Sequence, residues 1–254
     1  MDLIIDIGNT RAKAAIFDGA RLLRRAAFDL HDTAILEALL DDAPVTRAAV
    51  GSVADEAEDL ARWLGERFPV IRLTAMSASP INSAYATGAT LGADRLANAV
   101  AAARIFPGRT ALAIDLGTCI TYDLVNAQRV YLGGAIAPGA RMRAQAMHAY
   151  GARLPLVETA FDAPPFGDST TASLQAGIHH GVVGELEHFI AAARTLDPNT
   201  AVVLTGGDAL THARALKSGI FAHPFLTLEG FRLILHHGHG PDPAAAGPSA
   251  GAAG

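Results

Sequence analysis

The residues best equipped for chemistry form two short acidic turns, Asp6-Ile7-Gly8-Asn9-Thr10 and Asp115-Leu116-Gly117-Thr118, each directly after an aliphatic run. Glycine lets a backbone approach an anion closely, and Asn and Thr add side-chain donors. Lys13 brings a positive charge just past the first turn, and Asp6 is placed to orient a metal-bound water. These groups suit a triphosphate carrying its magnesium. The same residue types also build ordinary hairpin bends, so one such turn decides nothing. Two in matching contexts, Leu3-Ile4-Ile5-Asp6 and Leu112-Ala113-Ile114-Asp115, point to internal duplication of a phosphate-handling hairpin. A third glycine-rich turn, Thr205-Gly206-Gly207-Asp208, also follows an aliphatic run and suits close packing around an adenosine.

Another carboxylate of interest is Asp94, in Leu91-Gly92-Ala93-Asp94-Arg95. It is expected in the first turn of a helix beside an arginine, and both circumstances favour the ionised form. A carboxylate held in this way accepts a proton as phosphoryl transfer proceeds. Tyr85 lies upstream in a polar segment that can form a pocket for a small polar molecule. The plain alternative is a charge pair with Arg95 on a solvated helix face.

Alternating elements must position these groups. Leu36, Leu39 and Leu40 fall at helical spacing, and residues 48–53 read as a buried strand. Residues 56–68 read as a helix, 70–73 as a strand, and 92–106 as an alanine-rich helix ended by Pro107-Gly108. Farther on, 131–139 is glycine-rich, 140–150 helical, and 155–168, with three prolines, a loop. A helix is expected over 170–193 with a break near Gly177 and Gly181, and a last one over 228–236. This is α/β order. Residues 1–108 and 109–238 are expected to be two halves, and 239–254, poor in apolar bulk, a disordered tail.

With 254 residues, half of them hydrophobic, the chain can bury a full core. A net charge of −5 and a pI near 6.0 imply no basic face, so neither nucleic acid nor an anionic membrane is expected as a main partner. The single cysteine, Cys119, excludes an intrachain disulfide and a cysteine zinc cluster and fits a reducing compartment. It reads as a small buried residue, His236, His237 and His239 as a weak metal candidate, and His179-His180 as helix surface or core. With no signal peptide or long apolar segment evident, a cytoplasmic protein is expected.

The motifs also carry a resemblance. Asp-x-Gly-Asn-Thr-x-x-Lys at 6–13, Leu-Gly-x-Asp-Arg at 91–95, Asp-x-Gly-Thr at 115–118, Gly-Gly-x-Ile-x-Pro-Gly at 133–139 and Gly-x-Ser-Thr at 167–170 occur in the order seen in type III pantothenate kinases. The chain resembles that family from residue 1 to about 235. The resemblance implies the actin-like ATPase fold: two ribonuclease-H-like α/β halves with a nucleotide cleft between them, in a homodimer. It implies ATP-dependent phosphorylation of the pantothenate hydroxyl, opening coenzyme A biosynthesis, with magnesium arriving on ATP.

By the same resemblance Asp94 is the general base, and Tyr85, Gly92, Ala93, Arg95 and Thr170 line the pantothenate pocket, with Arg95 partnering the substrate carboxylate. Thr171 adjoins Thr170 as the other candidate. Asp6, Ile7, Gly8, Asn9, Thr10, Arg11, Ala12, Lys13 and Thr118 are implied for ATP, and Asp115 for a monovalent cation, potassium or ammonium. The chain departs from the pattern in Ala86-Thr87-Gly88-Ala89-Thr90, where relatives carry a proline and where a more mobile loop is expected, and at Cys119, where alanine is usual. Two other readings are a kinase of another small polar substrate and a non-catalytic accessory of transcription. Asp94, Lys13 and both turns speak against lost catalysis, and the charge against direct DNA contact.

Overall fold

A computed structural model describes residues 1–8, 11–29, 34–52, 57–216 and 220–240. Asn9 and Thr10 of the first turn, and 241–254 of the expected tail, lie outside the described residues. Two compact units emerge, Met1–Ala101 together with the chain from Leu226 onward, and Ala102–Phe225.

The first unit contains β1 (Asp2–Ile7), β2 (Ala12–Asp18), β3 (Arg21–Phe28), α1 (Ala34–Leu40), β4 (Arg47–Ser52), α2 (Ala57–Gly65), β5 (Val70–Leu73) and the two-residue β6 (Asn82–Ser83). Its sheet runs β3-β2-β1-β4-β5. The β1–β2 and β2–β3 pairs are antiparallel, whereas β1–β4 and β4–β5 are parallel. Side chains alternate across a strand, so Leu3, Ile5 and Ile7 share one face and pack with Leu36, Leu39, Leu60 and Leu64 of α1 and α2.

α3 (Ala93–Ile105) leads into the second unit, which contains β7 (Ala111–Leu116), β8 (Cys119–Val125), β9 (Val130–Pro138), α4 (Ala140–Tyr150), α5 (Thr170–Leu196), β10 (Ala201–Thr205), α6 (Ala209–Ala213) and β11 (Ile220–Ala222). Its strands run β9-β8-β7-β10-β11, with the same antiparallel and parallel sequence of pairs. The duplication expected from the two turns is therefore a duplication of a five-strand arrangement. Leu112, Ile114 and Leu116 pack with Leu174, Ile178, Val182, Leu186 and Ile190 of α5. The opposite face of β7 carries only Ala111, Ala113 and Asp115.

Two expectations change. The division falls inside α3 rather than at Pro107-Gly108, and α7 (Leu226–His239) belongs to the first unit rather than closing the second. The cause is burial: Leu226, Leu228, Phe231, Ile234 and Leu235 are buried as α7 packs on β1, β2, β4 and β5. Asp2 at the start of β1 accepts from Arg47 Nε at 2.6 Å and meets His236 Nε2 at 2.5 Å, pinning α7 to the sheet.

α5 also runs unbroken for 27 residues. Glycine costs a helix roughly 1 kcal/mol relative to alanine. The continuous buried stripe from Leu174 to Ala193 outweighs that cost at Gly177 and Gly181. Residues 155–168 form the expected loop, fastened to α5 by Gln175 Nε2 to Glu158 O at 3.0 Å and Ser173 Oγ to Gly167 O at 3.3 Å. No helix among the described residues is long and apolar enough to cross a membrane.

Candidate active site

In the first unit the β1–β2 hairpin presents Asp6 directly across the ladder from Lys13, with Gly8 N–H closing the bend onto Arg11 O at 3.3 Å. Opposite residues of an antiparallel pair share a face, so the carboxylate and the ammonium emerge side by side. Arg11 is exposed, and Asp6 and Lys13 are half-buried. Ile7 and Ala12 are buried in the core with α1 and α2, so their side chains anchor the hairpin and only their backbone is left for a ligand.

The same unit holds the Asp94 group. Gly92 O accepts the first α3 hydrogen bond, from Leu96 N at 3.2 Å. The Asp94 carboxylate turns back over Gly92, where a Cβ would overlap its Oδ1. That fold lets it accept from the Arg95 N–H and its own N–H, satisfying helix-end donors. Burial nevertheless raises the Asp94 pKa, and the Arg95 hydrogen bond and charge only partly oppose it. The expectation that position and Arg95 favour the ionised form is thus reversed: desolvation is the larger effect. Arg95 is buried and its guanidinium lies 5.9 Å from the Tyr85 ring centroid, which joins two of the predicted pocket residues. Ala93 is core. The departing segment before it forms a 3-10 turn over Gly88–Thr90, with Thr90 Oγ1 donating to Thr87 O at 2.9 Å.

In the second unit the Asp115 turn is held by three backbone segments. Gly117 N–H donates to Cys119 O at 3.0 Å, Gly139 N–H to Thr118 O at 3.0 Å, and Asp208 N–H to Leu116 O at 3.1 Å. Gly139, at the entry to α4, has room for no Cβ, which would overlap the Gly117 and Thr118 carbonyls. Gly206 has φ of +94° and rests against Leu116 O and the Asp115 carboxylate. The ladder neighbours of Asp115 are Thr121 on β8 and Thr205 on β10, both neutral. Thr205 is buried with its Oγ1 lacking a partner among the described residues. The sequence flagged Gly206 and Gly207, but the residue before them carries the hydroxyl beside Asp115. A carboxylate, neutral hydroxyls and carbonyl oxygens form a donor set that fits a hard cation.

Thr118 is exposed at the tip of this turn. Thr170 is the exposed first residue of α5, behind the Ser169 cap, whose Oγ accepts from Ala172 N at 3.2 Å. It lines a cavity of about 640 Å³ with Met147, Leu154, Asp168, Ser173 and Leu174, and Thr118 and Asp115 are not in that lining. Among the described residues no His, Cys, Asp or Glu group could hold a metal ion by itself.

The profile of the type III pantothenate kinase family matches residues 2–192. The chain belongs to that family. A type III pantothenate kinase of Bacteroides fragilis is 40% identical over 241 residues, 94% of this chain and 99% of the relative. Membership makes the chain a kinase whose reaction is the phosphorylation of pantothenate in coenzyme A biosynthesis, with ATP and magnesium. Solved structures agree on the fold. A Campylobacter jejuni protein described as a Baf family transcriptional activator superposes with TM-score 0.59 at 19% identity, over 92% of this chain and 96% of that one. A ROK hexokinase of Thermus thermophilus gives 0.50 at 17% identity, over 91% and 97%. In this pantothenate kinase the Asp94 group and the Lys13-paired hairpin lie in the first unit, and the braced acid turn and the Thr170 cavity in the second.

Proposed function

We propose that Asp94 is the general base. The pantothenate hydroxyl oxygen attacks the γ-phosphorus of ATP, the bond to the ADP oxygen breaks, and the hydroxyl proton passes to the Asp94 carboxylate. The observation that carries this assignment is the Asp94 carboxylate at the first turn of α3 with its pKa raised by burial, since a base poised nearer neutrality accepts a proton better in the transition state. Phosphoryl transfer asks little covalent chemistry of a protein, so the other residues position and neutralise. Asp6, Gly8, Arg11 and Lys13 are assigned to the ATP phosphates with Thr118, together with Asn9 and Thr10. Arg95, steadied on Tyr85, is assigned to the substrate carboxylate and Thr170 to the remainder of pantothenate.

Asp115 is assigned to a monovalent cation on the strength of its neutral, oxygen-rich surroundings; such a cation would offset phosphate charge. A homodimer is also part of the reading, supported by apolar side chains left exposed in the second unit, among them Ile136, Tyr150, Leu156 and Phe166. A reaction that draws on ATP and free monovalent cations suits a cytoplasmic enzyme. The test is ADP release with magnesium-ATP, with and without pantothenate, in potassium and again in sodium. Pantothenate-dependent release stimulated by potassium is expected; release indifferent to pantothenate would overturn the substrate assignment, and indifference to the cation would overturn the assignment of Asp115.

A further inference from the structure

The second unit contains an imidazole cluster with no place in the reaction as described so far. His179, in the middle of α5, is buried and its Nδ1 has no hydrogen-bond partner among the described residues. Its ring lies 4.8 Å from that of His180 and 6.5 Å from that of His212 on α6, centroid to centroid. His212 is also buried, and its Nδ1–H donates to Asp208 O at 3.0 Å, a carbonyl partner that fixes this nitrogen as the donor. The same ring meets Phe161 edge-on at 5.2 Å. His180 Nε2–H donates to Ala163 O at 3.0 Å.

The cluster therefore has two ends. One is Asp208, which completes the Gly206-Gly207 turn and whose N–H holds Leu116 O in the acid turn. The other is the 155–168 loop, gripped at Phe161 and Ala163, which runs into the Ser169 cap and Thr170. We propose that His179 and His212 are positioning residues of the phosphotransfer reaction, locking the nucleotide-side turn at Gly206 to the loop that delivers Thr170, and that protonation of the buried His179 ring unlocks both together. The catalytic part of this inference rests on the roles proposed above for those two segments.

The groups facing His179 are His180 on its own helix, His212 on α6 and Asp162 on the loop, and Asp208 lies beside His212. Burial, then His180 and His212, hold the His179 pKa below its ordinary value, with Asp162 opposing. Burial raises the Asp208 carboxyl, with His212 opposing. A group whose pKa is depressed in the locked form binds its proton more readily in the loosened one. The lock is therefore complete above the ordinary imidazole range of about 6.5 and weakens as pH falls through it.

Backbone hydrogen exchange of the intact protein from pH 8 to 5.5, corrected for intrinsic rates, reads the coupling directly. Exchange over 155–168 and over 206–216 is expected to accelerate in concert, on the order of tenfold for each unit of pKa difference, with residues 186–196 of α5 unaffected. His179→Met fills the space without titrating and should flatten that response. His212→Phe keeps the ring but loses the Asp208 bond, and should loosen both segments at pH 8 and raise KM for ATP and pantothenate together, with kcat nearly preserved. Separate responses of the two segments, or a pH response that survives His179→Met, would overturn the proposal. If His212→Phe does not fold, the wild-type pH series and His179→Met decide it. Coupled exchange in a protein with no pantothenate-dependent ADP release would overturn the catalytic role while leaving the lock standing.

Discussion

Asp6 and Asp115 occupy the fifth position of β1 and β7, two strands with the same burial pattern in sheets of the same order, but their neighbours differ. Across the antiparallel ladder Asp6 meets Lys13, whereas Asp115 meets Thr121. Across the parallel ladder Asp6 meets Gly51, whose missing side chain makes room for the Phe231 ring of α7. Asp115 meets Thr205 there, with Gly206 folded against its carboxylate. The first acid thus stands across the ladder from a lysine of its own hairpin, while the ladder positions beside the second carry threonine hydroxyls, the surroundings on which its proposed cation role rests. One duplicated scaffold has diverged at a few ladder positions into a charged hairpin beside an apolar brace and an oxygen-lined turn clamped by backbone.

The largest test concerns what only the first unit possesses. Asp94→Asn should lower kcat on the order of 100- to 10,000-fold, with the melting temperature little changed, because it removes the proton acceptor while retaining the shape. Near-normal turnover would move the chemistry elsewhere. Next come the clamps that hold each unit. Arg47→Met leaves Asp2 buried with His236 of α7 as its one remaining side-chain partner among the described residues, and should cost about 3–5 kcal/mol in urea unfolding. In the second unit Arg143 pairs with Glu185 at 2.7 Å, but both side chains keep about a fifth of their surface exposed, 20% and 24%. Glu185→Gln should therefore cost about 1 kcal/mol, including a weaker bond from the Tyr122 hydroxyl. Equal costs would mean that burial is not what separates the two pairs.

The duplication was legible because it is local. Leu3-Ile4-Ile5-Asp6 and Ala111-Leu112-Ala113-Ile114-Asp115 carry their strand and turn signals within a few residues, and β5 and α4 fall at 70–73 and 140–150 as the patterns predict. What was not legible depends on distant partners. Nothing near Leu226 says that α7 will return to Asp2, and the glycines of α5 suggest a break unless the buried stripe against the second sheet is known. Asp94 shows the same limit in a site residue. Its helix position and its arginine are visible in the sequence, but the burial that reverses the direction of its pKa is a tertiary property.

Glycine substitutions sharpen the contrast between the turns. Gly139→Ala and Gly206→Ala place a methyl on backbone carbonyls of the Asp115 turn, and at Gly206 the positive φ adds strain. Each should cost about 1–3 kcal/mol and weaken ATP binding. At Gly8 a Cβ would sit 3.4 Å from Arg11 O, a contact that a small shift relieves, so Gly8→Ala should cost well under half as much. A Gly8 variant as unstable as the Gly139 variant would show that the first turn is braced too.

The smallest effect is a displacement of a pH limb. Because burial raises the Asp94 pKa and the base must be ionised to act, kcat/KM should fall with decreasing pH at a point above the ordinary carboxylate value of 3.8. The same shift fixes the sign for stability: a carboxyl whose folded pKa lies above its unfolded one favours the fold at low pH, and that contribution is lost as pH rises through the folded pKa. Asp94→Asn should therefore be as stable as the parent, or more so, at neutral pH, and gain nothing in acid. Arg95 opposes the shift through its charge, so Arg95→Met should carry the kcat/KM limb to still higher pH while raising KM for pantothenate. A limb that stays in place would mean that Arg95 serves the substrate alone and has no part in tuning the base.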